Sequence, residues 1–393
     1  MNQKFELPKQ KAVIFWPVAT GDSTTLILRP GEIMMQIDLH HLAKADDSEE
    51  PEWAIIDHLV RTLPKRNGKP YLALFVLTHP DEDHIKGFPE LMKQVVIGEI
   101  WHTPKIFRDQ ADQEKLSADA KAFRNEVHRR RKAILANPDA ISSGNRLRVI
   151  GHDDILQEEQ YKNLPADCKS WPASKLSKVD GVELAGHFQA FVHAPFKDDQ
   201  AGTRNNTSLS LNVVIWEGQK YAQFFFFGDR EYVTTKRIFE TTEQHPDNTG
   251  YLMWDVALCS HHCSKGVMYW TAPGEASAKV RKDVMDYFKK YSRKGYFISS
   301  SCADFLDAPG DDPPHKKARE RYEEIVDSGR FICTHEYPNK KNPQPIVFTI
   351  GSDGFGFDDK RSSTGGPAAF AASIATARPG EAPPKTQVGF GCQ

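Results

Sequence analysis

Long apolar runs are missing from this chain of 393 residues. None approaches the roughly 20 residues that a membrane-spanning helix needs, so no membrane partner is expected. Cysteine is scarce: six residues in this length cannot form a dense disulfide framework, and a reducing cytoplasm is the expected setting. Basic excess is also lacking. With 51 Lys and Arg against 53 Asp and Glu, the formal net charge is −2. No global basic field advertises a nucleic-acid partner, so any polyanion must be met by a local patch or a metal centre. The apolar stretch 12–18 is short, contains Pro17 and runs into Gly21-Asp22-Ser23. It reads as a first strand and not as a signal peptide. The length accommodates one large α/β domain or two smaller ones.

What is present is concentrated in Thr78-His79-Pro80-Asp81-Glu82-Asp83-His84. These seven residues hold two histidines and three carboxylates. The apolar run 72–77 leads into them and reads as a buried strand; Ile85 onward reads as a helix start. Imidazoles and carboxylates packed this closely at a strand end repel and desolvate one another unless a cation lies between them. A divalent metal is the simplest such cation.

Strand-like segments at 13–16, 24–28 and 33–38 precede a helix at 53–63 and the strand at 72. A helix at 88–96 and a strand at 97–101 follow. Residues 105–180 are charged, partly helical and rich in Pro, Asp and Lys, with the run His128-Arg129-Arg130-Arg131-Lys132. They read as an insertion laid over one face of the core; the run itself reads equally as a solvated helix face or as a phosphate contact. Strands resume at 182–193, 209–216 and 221–227, the last carrying Phe224 to Phe227 and then Gly228-Asp229. Further strands at 255–260, 296–299 and 331–333 alternate with helices at 276–291 and 315–326, and 346–357 reads as a terminal hairpin. From about residue 359 onward Gly, Pro, Ala and Ser dominate, predicting a disordered tail. The expected organisation is therefore one domain over 1–358 followed by that tail. Alternating elements after an initial β run predict an α/β fold with two sheets and helices outside.

Polar groups recur at the predicted strand ends: Asp38; His79, Asp81, Asp83 and His84; His193; Asn205-Asn206; Asp229; and His261-His262. Strand ends on one edge of an α/β sheet are where ligands converge. Together they offer enough nitrogen and oxygen donors for two divalent ions, with Asp229 a natural bridge between them. Asp22 and Asp38 read as groups that orient ligands. Ser299-Ser300-Ser301-Cys302 has no base placed beside it, which counts against covalent catalysis.

The ordered set resembles the metallo-β-lactamase superfamily, and within it the hydrolase domain of ComEC-type DNA-uptake proteins. The family's early Gly-Asp-Ser segment is similar to Gly21-Asp22-Ser23, and its strand-end Asp to Asp38. The motif His-x-(His or Asp)-x-Asp-His is similar to His79, Asp81, Asp83 and His84, with Asp in the second slot as in the ComEC-type branch. Asn205-Asn206-Thr207-Ser208, Gly228-Asp229, His261-His262-Cys263-Ser264 and Pro314-His315 follow in the family's order. The resemblance covers about residues 12–335 apart from the insertion. Two positions depart from it. The superfamily's middle histidine has only His193 as a candidate, and Cys263 stands where the branch has glycine.

The resemblance implies the αβ/βα four-layer sandwich and metal-assisted hydrolysis of a phosphodiester, with DNA as the substrate and two metal ions activating a water. His79, Asp81, Asp83, His84, Asp229 and one of His261 and His262 are the expected ligands, His261 being preferred as nearer the strand end. Asp83 is also expected to orient the water, and His193 or His315 to protonate the leaving group. The oxygen-rich donor set favours manganese or magnesium over zinc, which still fits. Two rivals share the sequence: a hydrolase of small phosphoesters or nucleotides on the same site, and a non-catalytic metal-binding protein of the same fold.

Overall fold

The computed structural model describes residues 5–42, 53–107, 116–199, 204–308, 310 and 312–359. The tail expected to be disordered lies outside the described residues beyond position 359.

Phe224 to Phe227 show in miniature why the chain forms layers. Side chains alternate across a strand. Phe224 and Phe226 enter a core shared by two sheets, while Phe225 and Phe227 enter a second core beneath helices. A strand apolar on both faces must be covered on both, and both sheets are built this way.

The first sheet has ten strands. Its main path runs Gly354–Phe357, Ile346–Gly351, Lys11–Phe15, Thr24–Arg29, Ile33–Ile37, Lys69–Val76, Val96–His102, Arg146–Ile150 and Lys169–Ser170. Pairing is antiparallel as far as Ile33–Ile37 and parallel from there onward. The second sheet has seven strands: Phe331–Cys333, Ser292–Ser299, Trp254–Leu258, Lys220–Phe226, Ser210–Glu217, Phe188–Ala194 and Lys175–Leu176. Its first four strands are parallel and the rest antiparallel.

Val13, Phe15, Leu74 and Val76 of one sheet meet Phe224, Phe226, Val256 and Ile298 of the other in the central core. The outer face of the first sheet carries the helices Ile55–Thr62, Phe88–Gln94 and Ala118–Ala136. The outer face of the second carries Tyr232–Glu243, Lys282–Tyr291 and Lys316–Glu323. The layer order is helix, sheet, sheet, helix. This is the αβ/βα sandwich expected from the sequence.

The described residues of the segment 105–180, namely 105–107 and 116–180, contribute to both sheets and their covering layer. The helix Ala118–Ala136 covers the first sheet with Phe123, Val127 and Ile134. Arg146–Ile150 and Lys169–Ser170 then extend that sheet, and Lys175–Leu176 joins the other. Arg130, in the middle of the charge run, is fully buried. Its guanidinium donates to the carbonyls of Ile97, Gly98 and Arg146 at 2.8–3.1 Å.

Candidate metal centre

Four parallel-paired strands, two from each sheet, lead into polar residues, and these ends meet. The strand Ile33–Ile37 delivers Asp38, held at φ 53°. The Asp38 N–H donates to Val76 O at 2.9 Å. Its carboxylate accepts from the Thr78 N–H at 2.8 Å and from Thr78 Oγ1 at 2.6 Å. It therefore straps the neighbouring strand end, where a short helix Glu82–Ile85 turns His84 inward. The Leu39 N–H donates to His84 O at 2.8 Å, and the Asp22 N–H to Asp83 O at 3.0 Å. The motif 79–84 is thus pinned on both sides by groups that the sequence placed beside it.

From the second sheet, Lys220–Phe226 delivers Asp229 through Gly228 at φ 63°. A Cβ at Gly228 would stand 2.6 Å from Ser208 Cβ, so glycine is required by contact as well as by conformation. The strand Trp254–Leu258 leads to Ser260, whose hydroxyl donates to Gly228 O at 2.8 Å. His261, His262 and Cys263 then follow at φ 49°, 50° and 67°. Three successive left-handed residues, none of them glycine, reverse the chain sharply at a cost of order 1 kcal/mol each.

That reversal decides which histidine faces inward. His262 is fully buried, and its Nε2 lies 3.2 Å from His84 Nε2, 3.0 Å from Asp83 Oδ2 and 3.6 Å from Asp229 Oδ2. His261 is at the rim, its Nε2 3.8 Å from Asp229 Oδ2 and its Nδ1 4.0 Å from Glu231 Oε1. The preference for His261 is therefore corrected: distance from the strand end counts for less than the left-handed turn.

Asp229 is the hub. Its Oδ1 lies 3.2 Å from His84 Nε2, and its Oδ2 lies 3.4 Å from His79 Nε2. On the His79 side Asp81 Oδ2 stands 3.6 Å from the same ring nitrogen. Asp83, His84, Asp229 and His262 form one group able to hold a cation; His79 approaches the same Asp229 Oδ2 that faces His262, with Asp81 beside it. Asp22, Asp38 and His84 Nδ1 form a second cluster. There the Asp38 carboxylate already accepts from Thr78 and lies 2.8 Å from His84 Nδ1, so it orients the ring.

The fit to a metal rests on where the imidazoles are fixed. His84 Nδ1 is held by Asp38, and His262 Nδ1 by Ser300 O at 3.1 Å and Asp22 at 3.4 Å. A ring that donates from Nδ1 presents its Nε2 lone pair. The two lone pairs face each other at 3.2 Å, which calls for a cation or a proton between them. His79 Nε2 and Asp229 Oδ1 are buried with no hydrogen bond of their own.

Electrostatics agree. Burial opposes charge on His84, yet Asp229, Asp83 and Asp38 hold its pKa well above the usual imidazole value. Burial likewise opposes charge on His262, but Asp229 and Asp22 raise it well above that value. Burial also works against ionising Asp229, and His84, His262 and His79 overcome it and drive its pKa well below the carboxylate range. A metal bound here would displace protons from these imidazoles.

Two expected site residues stand elsewhere. His193 is on the outer face of the second sheet, stacked on Phe225 and edge-on to Phe191, at 4.7 Å each. Its Nδ1 is 3.0 Å from Thr242 Oγ1 and its Nε2 3.1 Å from Tyr251 O, so both nitrogens are engaged. The reading of His193 as ligand or acid is corrected. His315 caps the helix Lys316–Glu323, donates its N–H to Cys263 O at 3.1 Å and accepts the Lys265 N–H on Nδ1 at 3.2 Å. It anchors the histidine turn and is not among the clustered groups. Sequence reasoning left Thr78 and Ser300 without roles. Thr78 was legible from its place beside His79; the carbonyl of Ser300 carries no side-chain signal.

No family model and no curated protein matches this sequence. Among solved structures the chain is similar to the metallo-β-lactamase fold protein YhfI from Bacillus subtilis, at 12% identity and a TM-score of 0.37, over 86% of this chain and 99% of that one. It is similar to BJP-1, a subclass B3 metallo-β-lactamase of Bradyrhizobium japonicum, at 11% identity and a TM-score of 0.29, over 64% and 75%. It is also similar to ST1585 from Sulfolobus tokodaii, an archaeal metallo-β-lactamase superfamily protein, at 12% identity and a TM-score of 0.27, over 80% and 95%. The layer order, and not these scores, defines the architecture: the chain is an α/β protein with the αβ/βα sandwich of the metallo-β-lactamase fold.

Proposed function

We propose that this chain is a metal-dependent phosphodiester hydrolase and that its substrate is a nucleic acid, DNA first. The observation that carries the reading is the facing pair of Nε2 atoms, His84 and His262, 3.2 Å apart against the Asp229 carboxylate. Asp83, His84, Asp229 and His262 would hold one divalent ion, and His79, Asp81 and Asp229 a second. Manganese or magnesium suits the three carboxylates, and zinc the three imidazoles. Such ions, when bound, supply Lewis acidity toward a phosphoryl oxygen and acidify water.

The chain's own residues set the rest. Asp38, Asp22 and Ser300 fix the imidazole orientations, so the donors are in place before substrate arrives. Asp81 and Asp83 have side chains 24% and 33% exposed and form the rim that a substrate meets. Asp83 is placed to orient a water there. With His193 and His315 engaged elsewhere, a proton for the leaving group comes from solvent at this open rim. The partial exposure of the Asp81 and Asp83 side chains favours an open site over a closed pocket for a small ester.

The test is degradation of single-stranded and duplex DNA by the purified chain with Mn²⁺, Mg²⁺ or Zn²⁺, with Asp83→Ala as control. Metal-dependent cleavage lost in the variant supports the reading. Equal cleavage by the variant places the activity elsewhere, and hydrolysis of a small diester with no cleavage of DNA transfers the reading to small phosphoesters. A chain that binds none of the ions is a non-catalytic protein of this fold.

A further inference from the structure

The helix Ala118–Ala136 sorts its charges by face. At about 100° per residue, Lys121, Arg124, His128, Arg131 and Lys132 fall within one sector of roughly 100°. Phe123, Val127, Arg130 and Ile134 are buried against the sheet. The helix's acids lie on the other flank. Asp119 accepts the Gly87 N–H at 2.6 Å, and Glu126 pairs with Arg129 and Arg130 at 2.7 Å each. Lys121 and Lys132 are exposed, and Arg124, His128 and Arg131 half-buried. Arg131 donates to the neutral Gln160 at 2.9 Å; Gln160 in turn donates to Glu158 at 2.9 Å. Burial first, then Arg131, Arg124 and Lys132, depress the His128 pKa, as expected where cations crowd together.

The stripe also has a direction. Asp119, at the helix start, bonds Gly87, three residues past His84. At the far end Arg130 bonds Ile97 and Gly98, at the start of their strand. The stripe therefore begins at the metal-centre edge and runs down the outside of the molecule, about 17 Å from Lys121 to Lys132. In a chain of net charge −2, this is a local row of basic side chains leading away from the candidate centre.

We infer that Lys121, Arg124, His128, Arg131 and Lys132 form a track for the phosphate backbone of a nucleic-acid strand whose other part lies in the metal centre. The inference rests on the phosphodiesterase reading. A membrane surface fits less well: the helix buries its apolar face against the sheet, and Leu135, 41% exposed, is a single apolar residue at one end of the stripe. Contacts of this kind hold the backbone without reading sequence.

The test compares the full chain with the variant Lys121→Gln, Arg124→Gln, Arg131→Gln, Lys132→Gln. Glutamine has nearly the helix propensity of the residues it replaces, and matched melting curves confirm the fold. Binding of labelled DNA and RNA oligonucleotides is measured by anisotropy in EDTA between 50 and 200 mM salt, and hydrolysis of bis(p-nitrophenyl) phosphate with Mn²⁺ in parallel. The expected result is at least about a tenfold loss of affinity and a salt slope shallower by about 3. Small-diester hydrolysis should be unchanged. The DNA and RNA arms show which backbone the track prefers. Equal affinity and slope in the variant overturn the track, as does binding by both proteins to anionic vesicles but to neither nucleic acid. Absence of all hydrolysis, with the binding difference intact, overturns the phosphodiesterase reading and leaves the track standing.

Discussion

His261 and His262 are adjacent in sequence and both approach Asp229, but they differ in burial and in how their rings are held. One is at the rim; the other is buried with its Nδ1 tied to Ser300 O. His262→Ala should therefore lower metal occupancy by at least about 100-fold in affinity, since it removes a direct donor. His261→Ala should lower it by about tenfold or less. Equilibrium titration of both variants with Mn²⁺ checks this, and the reverse order would mean that the turn folds differently. The same scale explains Cys263. At φ 67° it occupies a conformation suited to glycine, and it is buried in the outer core of the second sheet. Cys263 thus puts a packed side chain at a strained point of the turn.

At the scale of the element, the ends of the parallel strands explain how much could be read in advance. Asp38, His79 to His84, Asp229 and His261-His262 each follow an apolar run, and the run announces the strand whose end they occupy. His193 follows such a run too, and misleads. In Phe188–Ala194, Phe188, Ala190 and Val192 face the central core, so strand parity sends His193 outward. Only the pairing register shows that, and one sequence does not print it. The short strands of 146–176 were hidden for a different reason: the two-residue pieces are too short to signal a sheet, and Arg146–Ile150 lies in a stretch otherwise rich in Pro, Asp and Lys. The Gly228 turn offers a test of element geometry. Gly228→Ala combines a left-handed φ with a 2.6 Å approach to Ser208. It should cost about 1–3 kcal/mol, read as a lower urea midpoint, together with weaker metal binding through displacement of Asp229. An unchanged midpoint would show that the turn relaxes freely.

For the whole molecule, buried neutral histidines set the response to acid. Burial, the largest cause in each case, lowers the pKa of His102 and His193 to about 3, and of His40 and His58 to about 4. Unfolded, each would titrate near 6.5. Between that value and the folded pKa the unfolded chain binds more protons, so stability is complete above pH 6.5 and falls as the pH drops toward 3–4. The slope is up to about 1.4 kcal/mol per pH unit for each histidine. His102 is enclosed by Phe107 and Phe123, and neither ring nitrogen has a hydrogen bond. His102→Leu should remove about 2 kcal/mol of the stability difference between pH 6.5 and pH 5 in urea denaturation; an identical difference in both proteins would show that His102 titrates normally. The metal centre has a consequence on this scale that is mechanical. Its candidate ligands come from two separate sheets: Asp81, Asp83, His79 and His84 from one, Asp229 and His262 from the other. An ion held there would be a rivet through the lamination, tying the two plates at the edge where the cluster lies, in addition to the apolar core that already joins them.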